Sequence, residues 1–138
     1  MAGFSTSAAN AICNFYLRGI AMPTVRTLYF ALFTSDPTDD FTAGTEVNAP
    51  WYARQPAGAF SAPANGVSYN ATNVQFPPLT GSPVTVTHIG LVEGGSPTDS
   101  TSTLVLLHQL PTPKTLTVND VFDIQSQAAS GDFTVRIL

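Results

Sequence analysis

The sequence is poor in charge. Only 10% of its 138 residues are Asp, Glu, Lys or Arg, against about a quarter in an average soluble domain. Basic residues are the scarcest, with Lys and Arg together numbering five and a net charge of −4. Neutralising several phosphates takes a clustered basic face. The sequence has none, so direct binding of nucleic acid is not expected. An acidic chain is also a poor partner for anionic lipid. No apolar run approaches the roughly 20 residues needed to span a bilayer, so no membrane association is expected. Cys13 is the single cysteine. That excludes an intrachain disulfide and suits folding in a reducing cytosol. No basic residue precedes Arg18, and Asn10 and Asn14 interrupt the first apolar run, so the N-terminus does not read as a signal peptide. A weakly charged surface offers little self-repulsion and suits a protein that packs against other proteins.

Groups that carry chemistry are equally sparse. The two histidines, His88 and His108, both fall in expected strands. Neighbouring strands could bring their rings together, but a metal site wants a third ligand, and Glu93 is the nearest acidic residue in sequence. The simpler reading makes each a strand residue with one hydrogen bond. Cys13 sits beside Ile12 and reads as a structural thiol. No serine lies in a Gly-x-Ser-x-Gly elbow. Gly94-Gly95 has neither the pattern nor the lysine of a phosphate loop and reads as a turn. Asp36, Asp39 and Asp40 lack the spacing and distal Glu of a calcium loop. Asn70-Ala71-Thr72 is a glycosylation sequon only in form. We therefore expect no enzyme, no metal and no cofactor.

What the chain does have is Thr, aliphatic residues, eleven Pro and ten Gly. Branched residues favour strands and the breakers favour turns. One helix is expected, over residues 5–18. Ala8, Ala11, Ile12, Phe15 and Tyr16 recur at helical spacing, Ser5 or Thr6 can cap the start, and Gly19 can cap the end. Phe4 can staple onto Ala9. So short a helix is marginal alone and must dock, normally on the protein's own sheet.

From Thr27 the pattern is strand after strand. Residues 28–33 form a continuous apolar run, which predicts a strand buried on both faces. Ser35-Asp36-Pro37 ends it and opens a long loop over residues 35–50. Trp51–Gln55 is a candidate strand ending at Pro56. Short segments follow around Phe60, Val67–Tyr69 and Val74–Phe76. Val84–Val92, Leu104–Leu110 and Lys114–Val118 are the clearest later strands. Asn119-Asp120 turns into Phe122–Ile124. Phe133, Val135 and Ile137 alternate to the C-terminus, so the chain is expected to end inside the sheet. This spacing predicts one all-β domain over 1–138, a sandwich, jelly roll or closed barrel spanning 27–138 behind the helix. Trp51, Tyr52 and Arg54 are candidate partner-interface residues, because Trp, Tyr and Arg are enriched at binding hot spots. The alternative puts Trp51 in the core and pairs Arg54 with an Asp.

Several segments resemble a family of small virion proteins of tailed bacteriophages. They are Leu28–Pro37, Glu46-Val47, Tyr52-Ala53-Arg54-Gln55, Thr87-His88-Ile89-Gly90-Leu91, Leu104-Val105-Leu106, Pro113-Lys114-Thr115 and Asn119-Asp120. They occur in the family's order across residues 27–138. Two departures stand out. Asn48-Ala49-Pro50-Trp51 replaces a Gly-rich turn, and Asn119 replaces a Gly, although Asn tolerates the same left-handed backbone. Members of the family are often labelled tail-fibre-like, and some are capsid cement or decoration proteins. The resemblance implies a jelly-roll-like antiparallel β fold and assembly into the virion, with no catalytic residues. A compact chain suits a cement on the capsid exterior that binds the major capsid protein and copies of itself. A homodimer is the simplest closed assembly, and a trimer is its rival. The alternative is a tail-fibre or baseplate module that binds host surface carbohydrate.

Overall fold

The computed structural model describes residues 3–126 and 134–136. The architecture is an antiparallel β-sandwich with one short N-terminal helix. Nine strands lie among the described residues: β1 (Gly3–Phe4), β2 (Thr27–Phe33), β3 (Gln55–Pro56), β4 (Val67–Tyr69), β5 (Val74–Gln75), β6 (Val84–Gly94), β7 (Thr103–Leu116), β8 (Asp123–Ile124) and β9 (Thr134–Arg136). Helix α1 covers Thr6–Arg18.

The main sheet has the order β1-β7-β6-β2-β3. Its centre is the pairing of β2 with β6, from Thr27 opposite Gly94 to Phe33 opposite His88. Every residue of β2 from Tyr29 to Phe33 is buried. Side chains alternate along a strand, so successive residues serve two different cores. Phe30 and Leu32 join Ile89, Leu91, Leu106, Phe76 and Ile124 in the larger one. Tyr29, Ala31 and Phe33 join Val92 and Leu104 in the smaller one. The expected double burial of this run is therefore what the fold uses.

The second layer over the larger core is split. The β5–β8 ribbon covers it with Val74 and Ile124. The β4–β9 ribbon follows, pairing Val67 with Arg136 and Tyr69 with Thr134. The C-terminal segment thus enters a sheet at Thr134–Arg136, while Phe133 and Ile137 lie outside the described residues. Asn70 links the two ribbons. It is fully buried, and its Nδ2 donates to the Thr72 and Gln125 carbonyls at 3.2 and 2.9 Å. The sequon asparagine is therefore a structural strut.

Two expectations need correction. Trp51–Gln55 is not a strand; only Gln55-Pro56 pairs, opposite Tyr29 and Phe30. Leu104–Leu110 and Lys114–Val118 are not two strands but parts of one, β7, which runs through Pro111 and Pro113. The register explains how. His88 faces Gln109, yet Val86 faces Lys114. The residues between 109 and 114 bulge out of the ladder, so the missing proline N–H groups cost no ladder bond.

The smaller core depends on a glycine. A Cβ on Gly90 would lie 2.7 Å from Phe33 Cε2 and 3.0 Å from Leu104 Cδ1. Gly90→Ala is therefore expected to cost about 1–3 kcal/mol by overpacking. Denaturant unfolding of the two proteins checks this; equal midpoints would show that the core yields freely.

Candidate functional site

The long loop expected over residues 35–50 is present, and it returns to the sheet at Glu46. Glu46 bridges Phe33, and the Val47 N–H donates to the Leu32 carbonyl at 2.9 Å. This placement sets the Glu46 carboxylate beside the segment 51–55. There it meets Tyr52 and Arg54. Arg54 grips it with two bonds, Nε to Oε1 at 2.8 Å and Nη2 to Oε2 at 2.7 Å. The planar guanidinium suits such a two-point grip. The remaining nitrogen, Nη1, donates to Ser102 Oγ at 2.7 Å. The Tyr52 hydroxyl donates to Glu46 Oε1 at 2.7 Å and accepts the Leu32 N–H at 3.1 Å.

The electrostatics follow from this closure. Burial, reinforced by the Glu46 carboxylate, pushes the Tyr52 phenol far above its usual range. The bond to Glu46 raises the Arg54 guanidinium. Tyr52 therefore stays protonated and Arg54 charged at any ordinary pH. The hydroxyl and guanidinium spend their bonds inside the protein. The arrangement is a clamp that ties the loop 34–50 to β2 and to the start of β7.

The three residues expected to form an exposed contact thus face inward. Trp51 is only 7% exposed and belongs to the larger core. Its ring meets Tyr52 edge to face, at 5.9 Å between centroids. Tyr52 stacks on Phe76 at 5.9 Å. Arg54 is half-buried and pairs with Glu46, not with an Asp. Their residue types are those of a binding hot spot, and the same large, amphipathic side chains serve here to close a loop over a core. Ser102 carried no local signal, and Glu46 stood out only through the segment Glu46-Val47 of the resemblance, with nothing in the sequence to pair either with Arg54.

The histidines occupy neighbouring strands but cannot meet. His88 is opposite Gln109, whereas His108 is opposite Ile89. A one-residue offset puts the rings on opposite faces of the sheet. His88 Nδ1 bonds Thr87 Oγ1 at 2.8 Å, and its Nε2 lies 3.9 Å from Asp36. Among the described residues no group of three His, Cys, Asp or Glu is arranged to hold a metal ion. No described helix is long and apolar enough to cross a membrane.

A second polar cluster ties the chain after α1 to the β6–β7 turn. Asp99 accepts from Gly95 N at 2.7 Å, Thr101 N at 2.8 Å and Arg26 Nη1 at 2.9 Å. The Thr101 hydroxyl, with the Gly95 and Thr101 N–H groups, holds the Asp99 carboxyl well below the usual carboxylate range.

A family model described as podophage GP4 fiber I protein gp80 matches residues 3–132. The chain belongs to this family. Its members are structural proteins of the phage virion, and the match includes helix α1 together with the sheet. No curated protein matches the chain. Within this gp80-family chain, the clamp is built from the segments Glu46-Val47 and Tyr52-Ala53-Arg54-Gln55 that carry the sequence resemblance. Gly90 and Asn119, from two other such segments, serve the smaller core and a left-handed turn at φ 72°. In these positions the residues serve the fold.

Two outcomes follow. Trp51→Ala is expected to cost about 3–5 kcal/mol, as for a large core residue, and Arg54→Ala about 1–3 kcal/mol through the bonds that Glu46 and Ser102 lose. Urea titration of both variants measures this, and unchanged stability for Trp51→Ala would refute its core role. Asp99, with its carboxyl depressed, stabilises the fold above the ordinary aspartate value of about 3.9. That contribution fades as pH falls below it. Melting curves between pH 6 and pH 2, about two units either side of that value, should fall less steeply for Asp99→Asn than for the wild type.

Proposed function

We propose that this chain is a non-enzymatic structural subunit of the fibre apparatus of a tailed phage, acting through protein–protein contact. The supporting observation is the match of residues 3–132 to a family described as a podophage fiber protein. The inward closure of Tyr52, Arg54 and Glu46 is in keeping with a role that asks for a rigid body and not for a reacting group. Sugar recognition draws less support. The solvent-facing rings Phe15 and Tyr16 stand edge to face on a helix at 5.1 Å, an arrangement that suits a protein groove better than the flat face of a sugar.

A second reading is a capsid cement on the head exterior, bound to the major capsid protein and to copies of itself. The family match supports a structural role in the virion and so bears on this reading as well, and a body closed on both faces of β2 fits between capsomers as readily as along a fibre. In either reading the chain is made in the bacterial host and acts in the virion.

Copy number separates the two. A quantitative gel and cryo-electron microscopy of purified virions should find few copies, all at the tail. Hundreds of copies spread over the head would overturn the fibre reading and establish the cement.

A further inference from the structure

Helix α1 starts firmly and ends in the open. Ser5 caps it, with Oγ accepting the Ala8 N–H at 3.2 Å while donating to the Leu104 carbonyl at 2.6 Å. The Thr6 N–H reaches the Asp39 carbonyl at 3.0 Å. Gly19 closes the helix in the left-handed conformation at φ 66°. Between these caps no helix residue is buried. The expected stripe docks only in its first half. Tyr16 is 78% exposed and Leu17 80%, and Val25, on the segment that follows, is 59%. Phe15, Ile20 and Met22 are also exposed.

This face has almost no charge. Residues 6–25 include one charged side chain, Arg18, which bonds Asn14 on its own helix. A solvated helix face normally carries charges. Beside Tyr16 runs a mainly apolar groove of about 320 Å³ between α1, the segment 22–25 and β7, lined by Ala11, Ile12, Met22, Val25 and Val105, with Glu93 as its one charged wall residue, paired with Arg26.

We propose that this face seats a second copy of the same chain. Three observations select that occupant. Tyr16 protrudes at the flank of the groove, with Leu17 one step further around the helix, so the surface offers both a knob and a recess, as a twofold self-complementary interface requires. Its charges are few and of both signs, Arg18 on the helix and Glu93 in the groove beside Arg26, so two copies of an acidic protein can meet there without a large like-charge repulsion. Its area is also sufficient. With a bare aromatic side chain presenting about 150–250 Å², the six exposed residues leave on the order of 500–700 Å² open, close to the roughly 800 Å² per partner of a standard interface. The largest apolar patch on an ordinary monomer is about 300–600 Å². The proposal names the surface for the self-association included in the reading above. It does not depend on whether the protein sits at head or tail.

Light scattering on the full-length chain, together with reaction of its single thiol, tests this. Cys13 is exposed on α1 and lies one helical turn from Tyr16 and Leu17. The wild type should have the mass of two chains, and its thiol should react faster on dilution. The variant Tyr16→Arg with Leu17→Arg should weaken dimerisation by roughly thirtyfold or more. Its melting temperature at the monomer limit should be unchanged, because both side chains are already exposed. Val118→Arg, at an exposed site elsewhere, should leave the dimer intact. A single-chain mass at all concentrations would overturn the proposal, as would a dimer that survives the double variant. Thiol protection that appears only on adding assembled particles would assign the face to a different virion protein and equally overturn it. Copy number in virions reads the location separately, so a failure here and a failure of the fibre reading are distinguishable.

Discussion

Strand β2 is packed against apolar side chains on both faces, and the rest of the structure is arranged to make that possible. Phe30 and Leu32 need a layer on one side, and Phe33 with Tyr29 on the other. The first layer is the β5–β8 ribbon with the turn that carries Trp51. The second is the loop 34–46, whose Phe41 lies edge to face with Phe33 at 5.8 Å. A strand buried in this way must also satisfy both of its edges, because no water reaches its backbone. One edge is completed by β6. The other is paired with β3 only at Tyr29 and Phe30.

The clamp answers that second requirement. Beyond β3, the Leu32 carbonyl accepts the Val47 N–H, the Leu32 N–H is taken by the Tyr52 hydroxyl, and Thr34 N–H bonds the Thr45 carbonyl. Glu46 and Arg54 fix the groups that do this. An open edge is a template for unwanted pairing. Here a loop closes it with side-chain and main-chain bonds, so the main sheet is not left to grow from that side.

A virion subunit has to combine such internal closure with a surface that partners can cover. The low charge of the chain serves both ends. Polar atoms are supplied by Thr, Ser and Asn, which bond within turns and ladders, as at Thr117 with Asp120 and Thr85 with Thr115. Where bonds of this kind are not made, along the outer half of α1, the surface is simply apolar. Membership of the gp80 family places these properties in a phage structural protein. The exposed helix is then the part of the monomer that is least complete by itself.

Much of this was legible in the sequence wherever the determining contacts are local. The run 28–33 announced a doubly buried strand by its unbroken hydrophobicity. Ser5 or Thr6 and Gly19 marked the helix ends, and Asn119 a left-handed turn, since caps and turns are decided within four residues; the fold uses Ser5. What the sequence did not show was which distant residues meet. Nothing near Arg54 in sequence paired it with Glu46 or Ser102, so an interface role and an ion pair inside the fold were both open to it. The two histidines share neighbouring strands, but a register offset of one residue puts them on opposite faces. Pro111 and Pro113 looked like a break until the bulge between residues 109 and 114 made their missing donors harmless. Hydrophobic periodicity is a property of one segment, and the sequence determined it alone. Register, edge closure and the fate of an aromatic side chain belong to pairs of segments, and only the tertiary structure decided them.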